Sequence, residues 1–380
     1  MIYLTLGDQY SGVVSSQVID VCKHLIDAHD HPVRLVSFIS LRGFRAQRKK
    51  FKAEFPSAMV LPMWPRLVNW EKNYFLLRII LFGLKDRKIM TRGILACNLA
   101  LKLKEKGRID WVCLDARGAY EAEWHEYEVV DNETMKQEVK IWEEKAVNES
   151  DFRLGVSQKL VEYWRNNFGY QSDNHVVIPC TINQYFERNL LTEGVREKIR
   201  TSYGYQKNDI VLVYAGSSAG WQSFQMLDRF LISAMEKQPF VHVLFLAKID
   251  LTQLQAYAQF PDRIRKDWVS HQEIFQTLAM CDYGILIREN TVTNQVAAPT
   301  KFGEYLSAGL KILITPELGD YSDFAEKYEC GWIIEPENRF DRKFTVVSMT
   351  EREKSRQLAM EHFTKEAHKP NYQRLIHASI

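Results

Sequence analysis

The sequence predicts an α/β protein built from two domains, each a parallel sheet with helices on both faces, and three observations carry that expectation. Apolar runs of strand length alternate with helical patterns along nearly the whole chain. Several of those runs end in polar turns that contain glycine, at 7–12, 92–93, 117–118 and 216–220, and the carboxyl ends of strands are where open parallel sheets hold ligands. The alternation breaks around 176–183 and then begins again.

In the first half, 2–6 reads as a fully buried strand. The polar turn 7–12 follows it, then a helical pattern through Val18, Cys22, Leu25 and Ile26. Further strands are expected at 33–39, 59–63, 88–91, 111–114 and 152–156, with helices over 49–54, 94–106 and 158–167. In the second half, strands are expected at 210–215 and 242–246, a short one near 268–269, then 283–287 and 312–315, with helices over 224–234 and 272–280. The charged amphipathic pattern 350–367 is expected to pack back across the domain boundary. The expected division is 1–180, 181–349 and a returning C-terminal helix in 350–380.

The segment 281–320 holds the most chemistry. Pro299 suits the first residue of a helix, where its missing N–H costs nothing, and Gly309 suits a left-handed cap at the other end. A helix of about ten residues between them puts Lys301 and Glu304 on adjacent turns of one face, near the positive end of the helix. Such an end, at the carboxyl edge of a parallel sheet, binds anions, and a carboxylate one turn in can hold a ribose diol. A nucleotide diphosphate is therefore expected there.

Composition narrows the alternatives. The chain has 380 residues, 46% of them hydrophobic, which is ample for two cores, and a net charge of +2, which gives no global sign of nucleic-acid binding. Its six cysteines form no CxxC pair and lie mostly in apolar runs, as reduced thiols of a cytosolic protein would. Neither a signal peptide nor a transmembrane span is read, and no HExxH, GxGxxG, GxxxxGK[ST] or DxD motif is present, so no metal and no tightly bound cofactor is expected. Charge is nevertheless uneven: residues 41–108 hold seventeen Lys/Arg against four acidic residues. Within them, 64–88 has an apolar, aromatic centre with cations on both flanks. One reading is a helix that covers the sheet and shows a basic face to water. The other is a surface that lies on anionic lipid, at the inner face of a membrane.

Residues 216–220, GSSAG, match G-x-S-x-G between a strand and a helix. This motivates a rival α/β-hydrolase reading with Ser218 as nucleophile, a histidine from His271, His362 or His368, and Asp250 or Asp282 as orienter. The other reading is a turn of small residues whose backbone N–H groups approach a phosphate.

Five stretches together resemble glycosyltransferases of the two-Rossmann-domain (GT-B) type, most similar to the family 4 retaining enzymes of bacterial surface polysaccharide synthesis. They are GVVSSQ at 12–17, DARGAYEAEW at 115–124, VIPCTI at 177–182, VSHQEIFQTLAMCDYGIL at 269–286 and APTKFGEYLSAGLKILIT at 298–315. The resemblance implies a C-terminal domain that binds a nucleotide sugar, with UDP or GDP favoured, and an N-terminal domain that binds a glycan or lipid-linked acceptor, across an intervening cleft. It implies Glu304 on the ribose, with Pro299, Thr300 and Lys301 at the helix start near the diphosphate. His271 would lie along the base and ribose, and Gly12 would face the donor phosphate. Asp115, Arg117 and Glu123 would match a DxRG...E variant on the acceptor side, while Gly216 and Ser217 belong to the small-residue turn already read as approaching a phosphate. Two departures are visible. The second glutamate usual eight positions before the ribose one is Val296, which leaves Glu289 to reach the sugar. The usual diphosphate cations after the first strand of the second domain are replaced by Ser217, Ser218, Trp221 and Gln222, which leaves Lys301, Lys248 or Arg288 to supply the charge. These departures keep open a third class, a catalytically inactive module that binds nucleotide sugars.

Overall fold

A computed structural model describes residues 1–84, 86–190, 192–216, 223–270 and 273–380. The chain divides into two compact units: one of residues 1–181, 296–298 and 368–380, the other of 182–295 and 299–367. The charged helix Met349–His362 lies in the second unit, and the C-terminal helix Lys369–Ser379 is the part that belongs to the first.

The first unit holds a parallel sheet in the order β3-β2-β1-β4-β5-β6-β7. Its strands are β1 (Ile2–Leu6), β2 (Arg34–Ile39), β3 (Met59–Pro62), β4 (Lys88–Arg92), β5 (Trp111–Asp115), β6 (Phe152–Gly155) and β7 (His175–Val177). Register is direct along the centre, with Leu4 opposite Val36 on one side and Thr91 on the other. Apolar clusters cover both faces. On one, Leu77, Leu99, Val139 and Trp164 pack with Ile2 and Leu4. On the other, Cys22, Leu25, Phe51 and Leu375 pack with Tyr3 and Met90. The order reverses between β1 and β4, so the turns after these two strands flank the switch point where such sheets bind ligands.

The second unit repeats the plan with the order β10-β9-β8-β11-β12-β13. Its strands are β8 (Ile210–Ala215), β9 (Val241–Leu246), β10 (Ile264–Lys266), β11 (Tyr283–Leu286), β12 (Lys311–Ile314) and β13 (Gly331–Ile333). The short strand expected near 268–269 is instead 264–266, where Ile264 pairs with Val243, while Trp268 is exposed. The switch point lies between β8 and β11, which pair through Tyr283–Leu212 and Gly284–Val213.

At the amino ends of these strands an ionic hub fixes the unit. Asp282, fully buried, takes Arg196 Nη2 at 2.8 Å, Arg200 Nη1 at 3.2 Å and Arg352 Nη2 at 2.8 Å, together with the Val211 N–H at 3.0 Å. Arg196 and Arg200 share a face of the helix Glu193–Ser202, and Arg352 comes from the helix Met349–His362, so one carboxylate joins three elements. Burial, with Arg352 adding, brings the Arg196 guanidinium down to about 10.

Candidate functional site

The helix Thr300–Ser307 sits where its sequence demands. Tyr305 lies under it, against β11: a Cβ on Gly284 would stand 2.2 Å from the Tyr305 ring, so only glycine leaves the ring room. The Tyr305 hydroxyl accepts the Ala215 N–H at 2.8 Å, tying the helix to the carboxyl end of β8. Phe302 packs on Tyr321, Phe324 and Phe363. The end is a glycine cap: Gly309 has φ +80°, and the Leu310 N–H returns to the Tyr305 carbonyl at 3.0 Å. Pro299 is the residue before the first helical turn, with ψ 119°, rather than within it as expected, and the helix is eight residues long.

Lys301 Nζ lies 2.5 Å from Glu304 Oε2, and the two side chains are 28% and 14% exposed. The pair is held one turn into the helix at the sheet's carboxyl edge. The neighbouring loops bring further groups to that edge. The Arg288 N–H donates to Thr315 Oγ1 at 3.1 Å, and its guanidinium, mostly buried, donates to Asn294 Oδ1 at 3.4 Å. The Glu289 N–H donates to Ser223 Oγ at 2.8 Å, while the Glu289 side chain is exposed. Ser223 takes a left-handed backbone, φ 50°, immediately before the helix Phe224–Glu236. A non-glycine residue in that region is strained, and such strain concentrates at functional sites. Nothing in the sequence marks Ser223, because the signal is conformational. Lys248 follows β9 and lies 4.7 Å from the Trp268 ring centroid, exposed at the sheet margin. Gly216 ends β8 at the same edge. Ser217, Ser218, Trp221, Gln222 and His271 lie outside the described residues.

Both orienters of the rival triad are engaged elsewhere. Asp250 Oδ1 accepts from the N–H and hydroxyl of Thr252, and Asp282 is enclosed by three guanidinium groups at the opposite edge of the sheet. Ser218 itself lies outside the described residues, and of the two proposed orienters Asp282 sits at the sheet's amino edge, away from the turn after β8.

In the first unit the carboxyl edge gathers charge. Asp115, 1% exposed, accepts from the Tyr3 hydroxyl and from Arg117 Nη2 at 3.0 Å, and Arg117 also donates to the Gln17 carbonyl at 3.2 Å. Arg92 Nε stands 3.6 Å from Asp8 Oδ1, and its Nη1 3.9 Å from Asp115 Oδ2. Burial works against the Arg117 charge, but Asp115 and Tyr3 outweigh it and hold the guanidinium protonated. Burial lifts the Asp8 carboxyl above its ordinary value, with Arg92 opposing. So Asp115 is a buried anchor, with Arg92 10%, Arg117 14% and Asp8 30% exposed at their side chains; Arg92 stands in a strand-terminal turn read from the sequence, and Asp8 was not singled out there. Gly12 opens the helical segment after β1, exposed, with open space around it. Burial lifts the Glu123 carboxyl above its ordinary value.

Behind this turn Glu143, buried, accepts the N–H groups of Tyr120 at 3.1 Å and Glu121 at 2.7 Å, capping the helix Tyr120–Glu126 from a distance. Burial pushes its carboxyl up to about 8, from an ordinary 4.5. A carboxyl raised on folding favours the native state most when protonated, so this contribution is present below about pH 4.5 and is lost as pH rises through about 8. Thermal melts from pH 5 to 8 are expected to show wild type losing several degrees relative to Glu143→Gln; parallel melting curves would contradict this.

No protein-family model and no curated protein matches the chain by sequence. Solved structures do match in fold. HepE of Anabaena, determined in complex with UDP, superimposes with a TM-score of 0.73 at 13% identity, covering 99% of each chain. The glycosyltransferase WaaG, involved in lipopolysaccharide biosynthesis, gives 0.68 at 14% identity over 99% of each chain. A glycosyltransferase from Rickettsia africae gives 0.67 at 16% over 98% of each. The fold is that of the two-domain GT-B glycosyltransferases.

Proposed function

We propose that the chain is a glycosyltransferase similar to the family 4 retaining enzymes. It moves a sugar from a nucleotide diphosphate sugar, UDP- or GDP-linked, to a hydroxyl of a glycan or lipid-linked acceptor, in surface polysaccharide or glycolipid synthesis at the inner face of a membrane. The observation that carries the reading is the helix Thr300–Ser307, with its N-terminus at the carboxyl edge of the second sheet and the Lys301–Glu304 pair one turn in. The fold shared with structures such as the UDP complex of HepE supports it.

In this reading residues 181–349 bind the donor. Glu304 accepts from the ribose diol, while Pro299, Thr300 and Lys301 form the helix start beside the diphosphate. Lys301, Arg288 and Lys248 supply positive charge, Glu289 reaches the sugar, and Gly216, Ser217 and His271 border the nucleotide. Residues 1–180 bind the acceptor through Arg117, with Asp115 as its positioning residue, and Gly12 lies in the turn that faces the donor phosphate. In the reaction the bond from the anomeric carbon to the diphosphate oxygen breaks, a bond to the acceptor oxygen forms on the same face, and the acceptor proton passes to the leaving diphosphate. The helix end and the cations stabilise the charge that develops there, the usual route by which preorganised dipoles lower such barriers.

A second reading, a nucleotide-sugar-binding module without turnover, draws on Val296. It occupies the place of the family's second glutamate, is 3% exposed, and its carbonyl accepts from Ser157 Oγ at 2.7 Å, a packing role. Calorimetry with UDP-, GDP-, ADP- and dTDP-sugars, followed by assay of nucleoside diphosphate release, separates the two. Binding with release supports transfer, and binding without release supports the module. No binding to any donor contradicts both.

A further inference from the structure

The helix Asn73–Gly83 covers the first sheet, as one of the two sequence readings required: Leu77 and Leu81 face inward, buried with Ile89 and Leu99. That reading also required a solvated basic face outside. The outer face is instead apolar. Phe75 is 65% exposed, Ile79 69% and Phe82 92%, and their spacing of i, i+4, i+7 puts them on one stripe. Exposed cations border the stripe: Arg78 sits within it, Arg66 precedes the helix, and Lys72 lies at its start, 5.6 Å from the exposed Trp64 ring.

We propose that this outer face docks on an anionic lipid bilayer, with Phe75, Ile79 and Phe82 entering the boundary between headgroups and acyl chains and Arg66, Lys72 and Arg78 meeting lipid phosphates. Exposing three large apolar side chains to water is unfavourable, and the interfacial region relieves that cost where cations can stay with the headgroups. The charge selects the occupant. Glu71 is the only acid from Trp64 to Leu84, so the flanks suit a negatively charged surface. A second copy of the chain fits less well, because face-to-face packing would set cation against cation. The three side chains also offer on the order of 400 Å², short of the roughly 800 Å² each partner contributes to a stable interface. No helix among the described residues is long and apolar enough to cross a membrane, so the contact is one of surface docking.

The inference rests on the membrane-side part of the proposed function and is separable from its donor site. The test is flotation of the full chain with phosphatidylcholine vesicles, with and without phosphatidylglycerol, at low and high salt, alongside size-exclusion light scattering and nucleotide calorimetry. Wild type is expected to bind the phosphatidylglycerol vesicles at low salt and to be released at high salt. The variant Phe75→Ser/Ile79→Ser/Phe82→Ser is expected to partition on the order of tenfold or more weakly, with unchanged melting temperature and nucleotide affinity. Arg66→Glu/Arg78→Glu is expected to lose the preference for phosphatidylglycerol. Absence of wild-type binding overturns the inference, as does full binding by the serine variant, which would move the contact to another basic surface such as the helix Phe44–Glu54. A wild-type dimer that the serine variant converts to monomer overturns it in favour of self-association. Loss of nucleotide binding in wild type with vesicle binding intact counts against the donor site alone.

Discussion

Replacing Glu304 by alanine is expected to weaken nucleoside diphosphate binding by on the order of ten- to a hundredfold while leaving the melting temperature almost unchanged. The two halves of this expectation have different sources. A hydrogen bond to a charged group contributes about 1.5–3 kcal/mol, and each 1.4 kcal/mol is about a tenfold change in affinity. The fold loses little, because among the described residues the carboxylate pairs with Lys301, and pairs at that helical spacing are worth about 0.2–0.5 kcal/mol. Lys301→Ala is expected to weaken diphosphates more than the nucleoside, since its charge belongs beside the phosphates. Glu304→Ala with unaltered affinity for UDP, GDP, ADP and dTDP in calorimetry sinks the assignment of this helix to the donor.

Replacing Asp282 by alanine is expected to destabilise the second unit by about 3–5 kcal/mol, the usual cost of removing one partner from a buried charge pair. The expectation is firm because of what remains. Arg196, Arg200 and Arg352 are 9%, 4% and 6% exposed at their side chains, and each would keep its charge with its main counter-ion gone. The Val211 and Val347 N–H groups would also lose an acceptor, at 3.0 and 3.3 Å. Asp282→Asn keeps an oxygen for the Val211 N–H and is expected to fall between the two. Urea unfolding followed by tryptophan fluorescence measures it; a loss below about 1 kcal/mol, the range of an exposed pair, would contradict the hub. A catalytic role for Asp282 predicts the opposite pattern, normal stability with lost activity.

Much of the framework was legible in the sequence for simple reasons. The strand Ile210–Ala215 is an unbroken apolar run and Ile2–Leu6 is apolar but for Thr5; both precede glycine-containing stretches of sequence and are buried at nearly every position. The helix Thr300–Ser307 was legible from its punctuation, although proline stands one place outside it. Other elements carried weaker signals. The helix Glu133–Glu149 is mostly polar and was hidden in an acidic stretch; its one marker is Asn132, whose side chain accepts the Met135 N–H. The strand Gly331–Ile333 is short and at the sheet edge, where neither length nor periodicity speaks.

For the candidate site, local pairings were legible in the sequence and the supports were not. Lys301 and Glu304 could be paired from spacing alone, because they lie on one helix. The fit of Tyr305 against Gly284 and Ala215, the left-handed Ser223 under the Glu289 loop, and the three arginines on Asp282 join positions far apart in the chain. No local pattern encodes them. Asp115 and Arg117 show the intermediate case: the motif was visible, and only burial revealed that Asp115 holds Arg117 while Arg117 lies toward the edge.

The most direct test of a nucleotide site at the carboxyl edge of the second sheet is hydrogen–deuterium exchange with and without UDP, repeated with GDP. Protection in peptides covering 287–291, 299–304 and the end of β8, with Lys248 and His271 included, is the predicted result. Protection at the amino edge of the same sheet, around Lys311, Gly331 and Lys354, or no protection with any nucleotide that binds, would contradict it.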